Sequence, residues 1–173
     1  MAKEIHIKGL SALQAFLNVL PQKIQKNILR GALRAGAKVV RKAAKELAPV
    51  AEPSRKNKRK YGGYAGALRD SIRHGTEGRL VGGKVMAYVR AGSGAKKSKS
   101  VYYAHMVEYG TKPHWNNEAK TKWHPGARPK AFLRPALDGQ AKNAVIACGN
   151  YIKNRLSLRN GLDTSDIQIG DDE

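Results

Sequence analysis

One cysteine in 173 residues, Cys148, excludes an internal disulfide and suits a reducing cytosol. Aromatic residues are scarce too: two Phe (Phe16, Phe132), two Trp (Trp115, Trp123) and seven Tyr. The interior must therefore rest on Leu, Val, Ile and Ala, and a hydrophobic fraction of 41% supplies enough of them for a folded chain. No run approaches the roughly 18 apolar residues of a membrane span. The opening MAKEIHIKGL also lacks the apolar centre of a signal peptide. The chain is thus expected to be made and used without crossing a membrane.

Acid is the next shortage. Lys and Arg number 33 against 13 Asp and Glu, a net charge of +20. Five of those acids (Asp163, Asp166, Asp171, Asp172, Glu173) fall in the last eleven residues. Residues 1–162 therefore hold 33 basic against eight acidic residues, or +25. Such a surface attracts polyanions with an affinity that falls steeply with salt. Charge alone does not name the partner, because acidic protein neighbours would be attracted equally.

Length predicts one domain over residues 1–158, followed by an acidic tail, 159–173, without structure. Ile5 and Ile7 alternate with His6 and Lys8, as in an extended arm. Ser11 can cap a short helix carrying Leu13, Phe16, Leu17 and Leu20. Pro21 suits the first turn of a second helix. There Ile24, Ile28, Ala32, Ala35, Val39, Ala43 and Leu47 recur every three or four residues, with Lys and Arg around the rest. Ala48-Pro49 ends that helix, since the residue before proline leaves the helical region.

Residues 49–66, PVAEPSRKNKRKYGGYAG, read as a loop that self-repulsion keeps mobile unless a partner neutralises it. Strands are predicted at Leu68–Gly75 and Lys84–Ala91, the second alternating Val85, Ala87, Val89 against Met86, Tyr88, Arg90. After a second basic loop at Ala95–Ser100, Val101–Tyr109 has helical spacing and Gly110 is its stop. The segment 111–128 reads as a loop holding His114, Trp115, Trp123 and His124. Phe132 and Leu133 are assigned to a short strand before Pro135, which opens a final helix. Its stripe is Leu137, Ala141, Ala144, Val145, Cys148, Ile152 and Leu156. The class is α+β: two substantial helices packed on a small, mostly antiparallel sheet, with long basic loops.

The chain is poor in chemistry. His105, His114, His124 and Cys148 form no compact zinc spacing, and neither CxxC nor HxxxH occurs. Cys148 lies on an apolar helical stripe, where cysteine is usually a small core residue. There is no GxSxG, and Gly62-Gly63 and Gly82-Gly83 lack the Walker lysine. Residues 60–160 hold only Asp70, Glu77, Glu108, Glu118 and Asp138, too scattered for two-metal nuclease chemistry. No catalytic, cofactor or metal residue is assigned. Glu108, in VEYGT, is expected to pair with the guanidinium of Arg134 or Arg128. Trp115 and Trp123, with Lys112, Lys120, Lys122 and Arg128 around them, could stack bases. The preferred reading makes them anchors for the fold or for another subunit.

Four segments, in order, carry a resemblance: the helix Ala35–Pro49, then GALRDSI (Gly66–Ile72), YAHMVEYGT (Tyr103–Thr111) and RPKAFLRPAL (Arg128–Leu137). Together they resemble the tail-completion, or head–tail joining, proteins of long-tailed bacteriophages, across roughly Gly9 to Leu156. The family's usual Thr-Gly before the Leu of the second element is Ala65-Gly66 here. The resemblance implies a structural virion protein, made in the host cytoplasm. It implies a ring, most often sixfold, that joins the tail to the DNA-filled head and contacts other neck, tail and head-closure proteins. Tyr103, Glu108, Tyr109, Trp115, Trp123, Arg128, Phe132 and Arg134 would then serve structure or subunit contact. The basic loops, with Arg55, Lys56, Lys58, Arg59, Lys60, Lys96, Lys97 and Lys99, would face lumenal DNA or acidic neighbours. Two alternatives stay open: a tail-terminator ring that stops tube polymerisation, and a non-viral basic nucleic-acid-binding protein.

Overall fold

Between Pro21 and Pro49 the chain has no helix breaker except Gly31 and Gly36, and it forms one long helix. In the computed structural model this helix, α2, spans Gln22–Leu47, preceded by α1 at Leu10–Val19. The structure describes residues 7–50, 64–77, 85–92, 101–116, 122–160, 163–164 and 167–170. The remaining elements are α3 (Ala67–Ser71), β1 (Arg73–Thr76), β2 (Ala87–Arg90), α4 (Ala104–Tyr109), β3 (His114–Asn116), β4 (Lys122–His124) and α5 (Leu133–Asn160). Strand β1 pairs with β2, and β3 with β4, as separate two-stranded sheets. The α+β class expected from the sequence holds: long helices with a small antiparallel component.

By contact the chain divides into two compact units. The first comprises residues 1–41, 74–89 and 139–173, the second 42–73 and 90–138. In the first unit Leu13 and Leu17 of α1, Ile28 and Ala32 of α2, and Ile152 and Leu156 of α5 form one cluster with Ile167. Each fully buried Leu or Ile contributes about 1.5–3 kcal/mol. This core is helix on helix rather than helix on sheet. Helix α2 meets the backbone of α5 at Gly36, where an added Cβ would lie 2.6 Å from Cys148 Sγ and 2.8 Å from the Ala144 carbonyl oxygen, and it meets the Tyr151 ring at Gly31. Only glycine admits α5 that close.

Several local expectations are corrected. The N-cap of α1 is Gly9, at φ 82°, and no side chain caps it, so Ser11 lies inside the helix. The Pro21 carbonyl opens α2 by accepting from the N–H of Ile24 (2.9 Å) and Gln25 (3.0 Å). The buried line of α2 is Ile28, Ala32, Gly36, Ala37, Val40, Ala44. Ala35, Val39 and Ala43 are half-buried, and Ile24 and Leu47 are exposed. The stripe drawn from large apolar residues therefore slips one position after Ala32, because Gly36 is the point of contact.

The strand expected at Leu68–Gly75 is a helical turn, α3, followed by β1. Gly66, at φ 86°, accepts from Asp70 N–H, and Ser71 Oγ donates back to the Leu68 carbonyl at 2.7 Å. Ser71 Oγ also accepts from the N–H of Gly92 at 3.1 Å. Phe132 and Leu133 form no strand; Leu133 starts α5, and Pro135 occupies its first turn, where an N–H has no helical partner anyway. In α5, Leu137 is exposed and Ala136 is buried in its place. The acidic tail was expected to lack structure, yet among its described residues Thr164 and Ile167 are buried. Lys153 Nζ donates to the Ile167 carbonyl at 2.6 Å, and the Lys8 N–H to the Gly170 carbonyl at 3.3 Å.

Candidate functional site

The two segments that carry most of the resemblance, YYAHMVEYGT and ARPKAFLRPAL, are stitched to each other in the second unit. Helix α4 ends at Gly110, whose φ of 72° favours glycine. A Cβ there would sit 2.9 Å from Pro129 N. The next residue, Thr111, exchanges two backbone hydrogen bonds with Ala127, at 2.9 and 3.1 Å. The N–H of Lys130 donates to the Val107 carbonyl at 2.8 Å.

Glu108 completes this join, though not as an ion pair. It is buried, and its carboxylate receives three backbone N–H groups at the start of α5. Phe132 and Leu133 donate to Oε2 at 2.8 and 3.0 Å, and Arg134 donates to Oε1 at 3.1 Å. These are the N–H groups that a helix start leaves without partners, in the place where negative charge is favoured. Burial works to raise the Glu108 pKa, but the donors from Leu133, Phe132 and Arg134, with the Arg134 charge, outweigh it and hold the group below its ordinary value. The expected guanidinium contacts are thus corrected. Arg134 instead lies over the ring of exposed Tyr109, 4.8 Å from its centroid, and Arg128 is exposed.

Between the stitched segments, where a loop was expected, the described residues form a strand pair. Strands β3 and β4 are antiparallel and pair His114 with His124, Trp115 with Trp123 and Asn116 with Lys122. The two indoles meet edge to face, with centroids 5.2 Å apart and planes at 67°. Each Trp nonetheless stays 52% exposed, so the pair braces the hairpin and still presents a large apolar surface. The His rings stack at 5.1 Å. The Nδ1 of His114 donates to the Lys112 carbonyl at 2.8 Å, and that of His124 accepts from the Gly126 N–H at 3.0 Å. Tyr64, Tyr102 and Tyr109 are exposed in the same unit, while Tyr103 is half-buried.

Phe132 is fully buried and Cys148 half-buried; burial raises the Cys148 thiol pKa, as for a packed rather than reactive cysteine. Among the described residues no three His, Cys, Asp or Glu converge on a possible metal position. The loop cations Arg55, Lys56, Lys58, Arg59, Lys60, Lys96, Lys97 and Lys99 lie outside the described residues. The described residues thus offer an apolar contact surface rather than reactive groups: paired indoles midway along two short strands.

Compared with known proteins, residues 11–110 match the HK97-gp10-like family, described as "Bacteriophage HK97-gp10, putative tail-component". The match takes in α1, α2, GALRDSI and the YYAHMVEYG segment, and it ends before the Trp hairpin. No curated protein and no solved structure matches the chain.

Proposed function

The chain belongs to the HK97-gp10-like family of bacteriophage tail components, and from that premise we propose that it completes the tail and joins it to the DNA-filled head. The observation that carries this reading beyond the family is the exposed Trp115–Trp123 pair on its braced hairpin. A chain with two Trp displays both of them where solvent meets them. Indoles so placed are the residue type that dominates binding energy at protein contacts. Copies of the chain close into a ring around the DNA passage, since a contact between unlike faces, repeated about an axis, closes when its rotation divides the circle. Tyr103, Tyr109, Arg128 and Arg134 belong to the same contact region, whereas Glu108 and Phe132 maintain its base. The basic loops, residues 55–60 and 96–99, face lumenal DNA or acidic neck proteins. The function is architectural, with no enzyme step.

The test is a phage whose copy of this gene carries Trp115→Ala and Trp123→Ala. Each truncation at a contact centre removes about 2 kcal/mol or more. The expected lysate holds full heads and finished tails that have not joined, while the purified variant keeps its far-ultraviolet helix signal. A wild-type titre would remove the hairpin from the joining contact.

A further inference from the structure

From residue 5 to residue 45 the chain contains no Asp or Glu. On α2, Lys23, Lys26, Arg30, Arg34, Lys38 and Arg41 follow one another at steps of three or four residues. At 100° per residue they fall within about a third of the helix circumference. The buried residues Ile28, Ala32, Gly36 and Val40 run along the opposite side, while Ala37, among the cations, is itself buried beneath them. The cationic stripe is about 27 Å long, at about 1.5 Å per residue. Lys23, Arg34 and Lys38 are exposed, and Lys26, Arg30 and Arg41 are half-buried.

Like charges neighbour one another along the stripe. The i,i+4 pairs Lys26–Arg30, Arg30–Arg34 and Arg34–Lys38 are like-charged, an arrangement that opposes the isolated helix. His74 of β1 sits in the same field: burial, then Arg41, Arg34 and Lys38, depress its pKa. The Nε of Arg41 is shielded from water and has no hydrogen-bond partner among the described residues.

We propose that this face of α2, centred on Arg34, Lys38 and Arg41, binds the phosphates of duplex DNA without reading sequence. A protein contact is disfavoured by composition, because such interfaces have a centre depleted in charge and rich in aromatics. The α2 stripe has no aromatic residue and no large apolar one; between its cations stand only Asn27 and Ala37. Cations spaced regularly along the side of one helix fit backbone contact instead. The surface belongs to the single chain and requires neither a ring nor a neck, so it can fail while head–tail joining stands, and the reverse.

The experiment measures binding of the purified full-length chain to two unrelated 30-base-pair duplexes across a salt series. For the variant Arg34→Gln, Lys38→Gln, Arg41→Gln, the slope of log K against log salt should become shallower by about 2 to 3. Affinity should fall at least about tenfold at low salt, equally for both duplexes. The exposed double variant Arg34→Gln, Lys38→Gln, expected to lose about two thirds of that slope change, decides the matter should the triple variant unfold. An unchanged slope, a loss that appears only with Arg55→Gln, Lys58→Gln, Arg59→Gln, or equal affinity for polyglutamate would overturn the proposal.

Discussion

Glu108→Ala is expected to destabilise the second unit by about 2–4 kcal/mol, with the melting temperature falling by about 5–12 °C. The carboxylate accepts three backbone N–H groups at the start of α5, and the Phe132 donor is itself buried. Losing an ordinary cap costs about 0.5–2 kcal/mol. The larger figure here reflects a charged acceptor and donors left without water. Glu108→Gln keeps one carbonyl acceptor and should show a smaller loss at neutral pH. The pH dependence follows from the depressed pKa. A carboxylate whose folded-state pKa lies below its unfolded value stabilises above that unfolded value, and the gain is lost as pH falls through the folded one. The advantage of the native chain over Glu108→Gln should therefore be full at pH 7. It should begin to shrink near the ordinary glutamate value of about 4.3 and vanish below the depressed one. Thermal melts of the three proteins between pH 7 and pH 2 test this. A gap that stays constant to pH 2 would contradict the capping role.

Phe132→Ala should cost about 3–5 kcal/mol, the range for emptying a fully buried aromatic site. Phe132 is the largest fully buried side chain of the described residues, and its backbone N–H is one of the donors to Glu108. The cavity would open directly beneath the capped helix start. Phe132→Leu refills most of the volume and should cost less than about 2 kcal/mol. Because residues 108 and 132 are in contact through that hydrogen bond, the double variant with Glu108→Ala should depart from additivity by about 0.5 kcal/mol or more. Denaturant titration of the native chain, the three single variants and the double variant measures these quantities. A Phe132→Ala loss below about 1 kcal/mol would mean that Phe132 does not carry the join between the two segments.

Helix α2 was legible because twenty-odd residues of 3.6 periodicity, bounded by Pro21 and Pro49, leave few alternatives. The face of α2 was legible only as far as Ala32, since the next contact is made by Gly36, which hydrophobicity does not score. The start of the strand expected at Leu68–Gly75 is helical, and its buried members Leu68, Ser71 and Ile72 fall at helical spacing. The role of Glu108 was hidden by chain distance, as its donors lie 24 to 26 residues away. One signal could have found it. No Ser, Thr, Asp or Asn stands before Leu133, so a helix opening there needs an acceptor from elsewhere. The hairpin also left a trace, in the mirrored His114-Trp115 and Trp123-His124 that antiparallel pairing brings face to face. Ile167 and Ile169, alternating within an acidic tail, were outvoted by its charge.

The central claim is that this tail component finishes the tail and joins it to the head. The most direct measurement is electron microscopy of a lysate from the phage lacking this gene. DNA-filled heads beside separate tails of normal length are the expected result. Ordinary joined virions would contradict the account, and so would overlong tails, which would make the protein a terminator of the tube instead.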